Sequence, residues 1–130
     1  MILITIEGRP IPYRAPNVNS RHTFNPRYQE AERVKWIIKS QHNAPILTTA
    51  VSISYIFNFA VPASLSQKKR LELIGKPYDK RPDTSNLLKF IDDCLVGIVI
   101  EDDSLICTVL VEKKYSEKEN TIMMIRTIEG

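Results

Sequence analysis

Residues 82–106, PDTSNLLKFIDDCLVGIVIEDDSLI, are the stretch from which the rest of the chain can be read. Six acids (Asp83, Asp92, Asp93, Glu101, Asp102 and Asp103) stand there against one base, Lys89, a local net charge of −5 in a chain whose net charge is +3. Placed on a helix at about 100° per residue, Asn86, Lys89 and Asp93 form one polar stripe, and Leu87, Leu88, Ile91, Cys94 and Leu95 fall on the opposing arc. The spacing predicts a helix from near Thr84 that is anchored in a core by Leu88, Ile91 and Leu95. Asp83 stands at its entrance, where a carboxylate can either cap the first turn or remain free for a ligand. Gly97 ends the helix, and Ile98 to Ile100 lead to Glu101-Asp102-Asp103. A short return connection is expected to carry Asp102 or Asp103 back toward Asp83, gathering hard oxygen donors suited to Mg²⁺.

Working outward, the preceding segment is basic. Between Lys68 and Arg81, six bases (Lys68, Lys69, Arg70, Lys76, Lys80, Arg81) face two acids. Ser64 is expected to cap a helix there, with Leu65, Leu71 and Ile74 on its apolar side and Gly75 and Pro77 at its end. Before it, Val51, Ile53, Tyr55, Phe57 and Phe59 share one parity, the mark of a long half-buried strand over Thr48–Phe59. Ala31, Val34, Ile37 and Ile38 recur at helical spacing over Arg27–His42, and the alternation of Ile2–Glu7 reads as a strand.

Between them, Pro10, Pro12, Pro16 and Pro26 exclude regular structure from residues 9–26. That arm carries Arg9, Arg14 and Arg21 among Tyr13, His22 and Phe24, a composition suited to phosphate contact. Following the acidic turn, Leu105–Val111 reads as a buried strand, Lys113–Asn120 as a charged hairpin turn, and Thr121–Ile128 as the last strand.

At 130 residues, 43% hydrophobic and 25% charged, the chain is expected to form one domain, 1–130. Cys94 and Cys107 both lie in apolar runs and are expected to be buried free thiols of a reducing compartment. No stretch approaches membrane-spanning length and the N-terminus does not resemble a signal peptide, so a cytoplasmic location is expected.

Lys80-Arg81-Pro82-Asp83-Thr84-Ser85-Asn86-Leu87-Leu88-Lys89, followed by Asp93, Leu95, Gly97, Asp102-Asp103-Ser104 and Ile106, resembles the signature of the RusA family of Holliday junction resolvases. Gly8-Arg9-Pro10-Ile11-Pro12, and Pro62, Ser64, Ser66, Lys68 and Lys69, are similar in placement. The resemblance implies a small α+β fold with a mixed sheet packed by helices. It implies a homodimeric endonuclease, often prophage-encoded, that uses Mg²⁺ (or Mn²⁺) to cut paired strands of four-way DNA junctions in recombination and repair.

It further implies Asp83, Asn86, Lys89 and an essential aspartate of the pair Asp102-Asp103, Asp103 foremost, as site residues; phosphodiester chemistry then assigns Asp83 and Asp103 as metal ligands with Asp102 auxiliary, Lys89 as the cation facing the scissile phosphate, and Asn86 and Asp93 as supporting groups. Arg9, Arg14, Arg21, Lys68, Lys69, Arg70, Lys80 and Arg81 would contact DNA phosphates. One position departs from the pattern: Ser85 stands where the family has a second aspartate, and a hydroxyl is a weaker ligand. The alternative expectation is therefore a branched-DNA-binding protein with little or no catalytic activity and a degraded metal site at Ser85.

Overall fold

Alternation in the strand β2, Val51–Ala60, sets the centre of the molecule, because Val51, Ile53, Tyr55, Phe57 and Phe59 are all buried. The computed structural model describes residues 1–15 and 27–129; Arg21, His22, Phe24 and Pro26 lie outside them. In chain order the described elements are β1 (Ile2–Glu7), α1 (Tyr28–Gln41), β2, α2 (Gln67–Leu73), α3 (Thr84–Leu95), a 3₁₀ turn (Asp103–Leu105), β3 (Ile106–Ser116) and β4 (Asn120–Thr127). Helices and a mixed sheet make the fold α+β, as expected.

The sheet order is β1-β4-β2-β3. β4 runs antiparallel to both β1 and β2, and β3 runs parallel to β2. Side chains of one parity, Ile4 and Ile6, Ile53 to Phe59, Met123 and Ile125, meet Val34 and Ile38 of α1 and Leu87, Phe90, Ile91, Cys94 and Leu95 of α3 in one core. Each such apolar side chain contributes roughly 1.5–3 kcal/mol when fully buried. Five of the twelve residues of α3 are buried, which fixes its polar stripe outward. Phe90 joins that core and Leu88 is only partly buried, a rotation of the apolar arc from the expected set. Gly97 has φ +85°, a conformation that side chains rarely adopt, and its N–H donates to Ile100 O at 2.8 Å as the chain turns away from α3.

Four expectations are corrected. The last two strands do not form a hairpin, because β2 lies between them. β3 continues to Ser116, and residues 117–119 cross the end of β2, where Glu119 Oε2 accepts the Ala60 N–H at 3.3 Å. β2 carries the strongest alternation and so takes the central place with a partner on each side, leaving β3 at the edge. β3 is consequently not a buried strand: Cys107, Thr108, Val109 and Leu110 are exposed. Cys107 is therefore an exposed thiol, whereas Cys94 is buried and its pKa is pushed up to about 12 by desolvation. Finally α2 is capped by Ser66, whose hydroxyl accepts the Lys69 N–H at 3.3 Å, rather than by Ser64; it buries no side chain.

Candidate active site

Asp83 occupies the N-cap position of α3 with extended backbone (φ −68°, ψ 145°), yet its carboxylate makes no capping hydrogen bond. Its exposed side chain instead borders a cleft of about 300 Å³ lined by Arg9, Arg81, Pro82, Asp83 and Asn86. The sequence segments 8–12 and 80–89 thus meet at one place.

Several contacts hold that cleft rigid. Lys113, on β3, donates from Nζ to Lys80 O at 2.6 Å and to Pro82 O at 2.8 Å, fixing the loop immediately before Asp83. Tyr78 stacks on Phe59 with centroids 4.1 Å apart and meets Tyr115 edge-on at 5.0 Å, tying the same loop to the sheet. Arg9 donates to Glu119 Oε2 at 3.1 Å and lies 5.1 Å over the Phe59 ring. Tyr13 N–H donates to Asn86 O at 2.9 Å, and Lys89 Nζ sits 3.9 Å from the centroid of the Tyr13 ring. A cation over an aromatic face is held in place without losing its charge, so Lys89 is steered one turn from Asn86 on the outward stripe that also bears the exposed Ser85 and Asp93.

The far end of α3 carries a second set of acids. Tyr55 donates from its hydroxyl to Asp92 Oδ1. Desolvation pushes the Asp92 carboxyl up to about 6, Tyr55 draws it back down, and the nearby charges of Asp103 and Asp93 push it further up. Desolvation also raises the Tyr55 hydroxyl, with the Asp92 charge adding to it. Asp103 therefore returns to the field of Asp92 in the last turns of α3, while Asp83 stands at the opposite end of a helix about 18 Å long. Asp102 Oδ2 accepts the Ser104 N–H at 3.0 Å, capping the 3₁₀ turn, and hydrogen bonding from Ser104 holds its carboxyl below the ordinary range.

Among the described residues no three His, Cys, Asp or Glu side chains are grouped to hold a metal ion. The structure thus brings together Arg9, Arg81, Asp83 and Asn86, with Lys89 beside them, and does not assemble the three acids into one cage. Lys68, Lys69, Arg70, Lys80, Arg81 and Arg14 are all exposed. Sequence reasoning missed Lys113, Tyr78 and Asp92. The first two sit in segments read as a turn and as a basic linker, and Asp92 lies at the margin of the polar stripe, where only its partner Tyr55 reveals its burial.

No helix among the described residues is long and apolar enough to cross a membrane. The model of the family described as Endodeoxyribonuclease RusA matches residues 7–126. The chain is also 28% identical over 139 residues to the uncharacterized protein YqaN of Bacillus subtilis (strain 168), covering 99% of this chain and 98% of that protein.

Proposed function

Because the chain belongs to the RusA endodeoxyribonuclease family, we propose that it is a Mg²⁺-dependent structure-specific nuclease that cuts paired strands of four-way DNA junctions as a homodimer. The observation that carries this reading is Asp83: it holds a capping position without capping, in a cleft whose other polar walls are Arg9, Arg81 and Asn86. A lone carboxylate among guanidiniums suits a phosphodiester accompanied by a cation.

The donor chemistry fits Mg²⁺, which keeps several waters and takes one or two carboxylates together with phosphate oxygens rather than an all-protein cage. Asp83 would hold it in the cleft, with the Ser85 hydroxyl as auxiliary; Asp103 and Asp102, at the other end of α3, stand too far from Asp83 to share that ion within one protomer. When bound, the ion supplies a more acidic water and charge neutralisation at phosphorus.

The chain's own groups do the remaining work. Arg9 and Arg81 bind phosphate oxygens and orient the backbone across the cleft. Lys89 offset from Asn86 by one turn neutralises charge developing on the scissile phosphate as the water–phosphorus bond forms and the bond to the leaving 3′-oxygen breaks. Asn86 orients a phosphate or water by hydrogen bonding. The exposed bases of α2, with Arg14, Arg21 and Lys80, contact junction arms through phosphates, so selectivity comes from shape. Paired incision needs two such sites in one particle, which motivates an isologous dimer.

A second reading is favoured by Ser85 and by the lack of a three-acid group among the described residues: a branched-DNA-binding protein with a weakened metal site. One assay separates the two. Incubation of a synthetic four-way junction with protein and Mg²⁺ gives symmetric nicks under the first reading and a shifted, intact junction under the second. Ser85→Asp should raise nicking only if the serine limits metal binding.

A further inference from the structure

Lys89 and Asp93 are both exposed and stand four residues apart on the outward stripe of α3, the spacing at which side chains of a helix meet and opposite charges pair. They do not pair. The salt bridges among the described residues are Arg9–Glu119, Arg27–Glu30 and Lys35–Glu32. Lys89 turns instead to the arm that follows β1, where its Nζ stands 3.9 Å from the centroid of the Tyr13 ring.

That ring is itself held. Pro10 is buried, and Ile11 and Tyr13 pack against the core. Tyr13 N–H donates to Asn86 O at 2.9 Å, tying the arm to the first turn of the helix that carries Lys89, and Arg27 Nε donates to Pro12 O at 3.3 Å. The same short segment brings Arg9 to the wall of the Asp83 cleft. Residues 9–13 therefore form one brace, with a guanidinium at one end and an aromatic face at the other.

We propose that Tyr13 is the positioning residue for Lys89 in strand cleavage: its ring keeps the ammonium beside the cleft and out of an ion pair with Asp93. This role rests on the nuclease reading above, because it needs a scissile phosphate for Lys89 to face. A carboxylate in the place of the ring would also hold the lysine, but it would neutralise the charge needed at phosphorus. A π face attracts the cation and leaves its charge available. The ring covers one side of the ammonium, so N–H groups remain to donate to a phosphate oxygen. A charge placed before the substrate arrives needs no reorganisation in the transition state.

Two readouts on the full chain test the role. The first is the ring-current displacement of the Lys89 ε-methylene resonance in the protein alone, assigned by its loss in Lys89→Arg. The second is the single-turnover rate of nicking of a four-way junction at saturating protein with Mg²⁺, measured together with junction affinity. Tyr13→Phe keeps the ring and should keep both the displaced resonance and the parent rate. Tyr13→Leu, with circular dichroism checking its fold, should move the resonance to that of an ordinary exposed lysine and slow nicking roughly tenfold at near-parent affinity. Adding Asp93→Asn to Tyr13→Leu should recover most of that rate, because the competing carboxylate is gone.

An undisplaced Lys89 resonance in the parent, or Tyr13→Leu nicking at the parent rate, overturns the proposal. Tyr13→Phe as slow as Tyr13→Leu would overturn it too, by assigning the effect to the hydroxyl, and a double variant that stays slow would show that Asp93 is not the competitor. A parent that nicks no junction while its Lys89 resonance stays displaced fails differently: the contact exists, but the nuclease reading falls and takes the role in cleavage with it.

Discussion

At the scale of single residues, three aspartates show how one side chain divides between folding and chemistry. Asp102 caps a turn and Asp92 answers Tyr55, whereas Asp83 has a capping position and no capping bond. Asp83→Asn should therefore change stability by well under the ~1 kcal/mol typical of a lost cap, leave junction binding intact, and reduce Mg²⁺-dependent nicking by orders of magnitude. Asp103→Asn, at the other end of α3 from the cleft, tests whether that acid takes part: parent-like nicking from it alone would confine the site to the cleft, and parent-like rates from both variants would show that neither carboxylate is the site.

Asp92 makes a different prediction. Its folded carboxyl, at about 6 against an ordinary 3.8, holds a proton that the unfolded chain has released. Its stabilising contribution is thus complete below about pH 4 and disappears as pH rises through about 6. Asp92→Asn, which can still accept from Tyr55, should be relatively more stable near pH 7 than near pH 4.5, by about 1 kcal/mol once water at the half-buried group is allowed for. Urea unfolding of parent and variant at the two pH values reads the difference; an equal gap at both would mean that Asp92 does not titrate there.

Among elements, those whose pattern is local were legible. β1, α1, β2 and α3 follow from period-two or helical spacing, since the burial of each is decided by its own sequence. What could not be read was strand order. Leu105–Val111 is as apolar as a central strand, but its place at the edge depends on β2 taking two neighbours, a competition among distant segments. The candidate site divides the same way: Asp83, Asn86 and Lys89 were visible as a motif, whereas the loop that positions Asp83 is held by Lys113 from a strand thirty residues on, with no trace in the local pattern. Lys113→Met should accordingly free that loop. Two charge-assisted hydrogen bonds at a partly exposed site are lost, costing about 1–2 kcal/mol, and amides of residues 79–83 should exchange faster while those of α1 do not. Unchanged exchange at the loop would show that the aromatic stack of Phe59, Tyr78 and Tyr115 suffices to hold it.

For the whole molecule, the relevant quantity is where charge sits. Net +3 is modest, but the acids concentrate along and just beyond α3, while the bases occupy α2, the residues before Asp83 and the arm. A polyanion bound to this protein meets the exposed lysines and arginines first and releases counterions as it does so, whereas the acidic end of α3 resists it. Junction affinity should therefore fall steeply and log-linearly with salt. Lys69→Ala and Arg14→Ala, both exposed and outside the cleft, should each weaken binding uniformly across DNA sequences and reduce the slope by about 1, as expected for one lost phosphate contact. Asp93→Asn, on the outward stripe of α3, is the control of opposite sign: removing a negative charge from the DNA face should strengthen binding at low salt and leave the slope unchanged or steeper. Titrations of labelled four-way junction across ionic strength decide the matter, because a salt-independent affinity cannot come from a basic surface whose contacts are with phosphates.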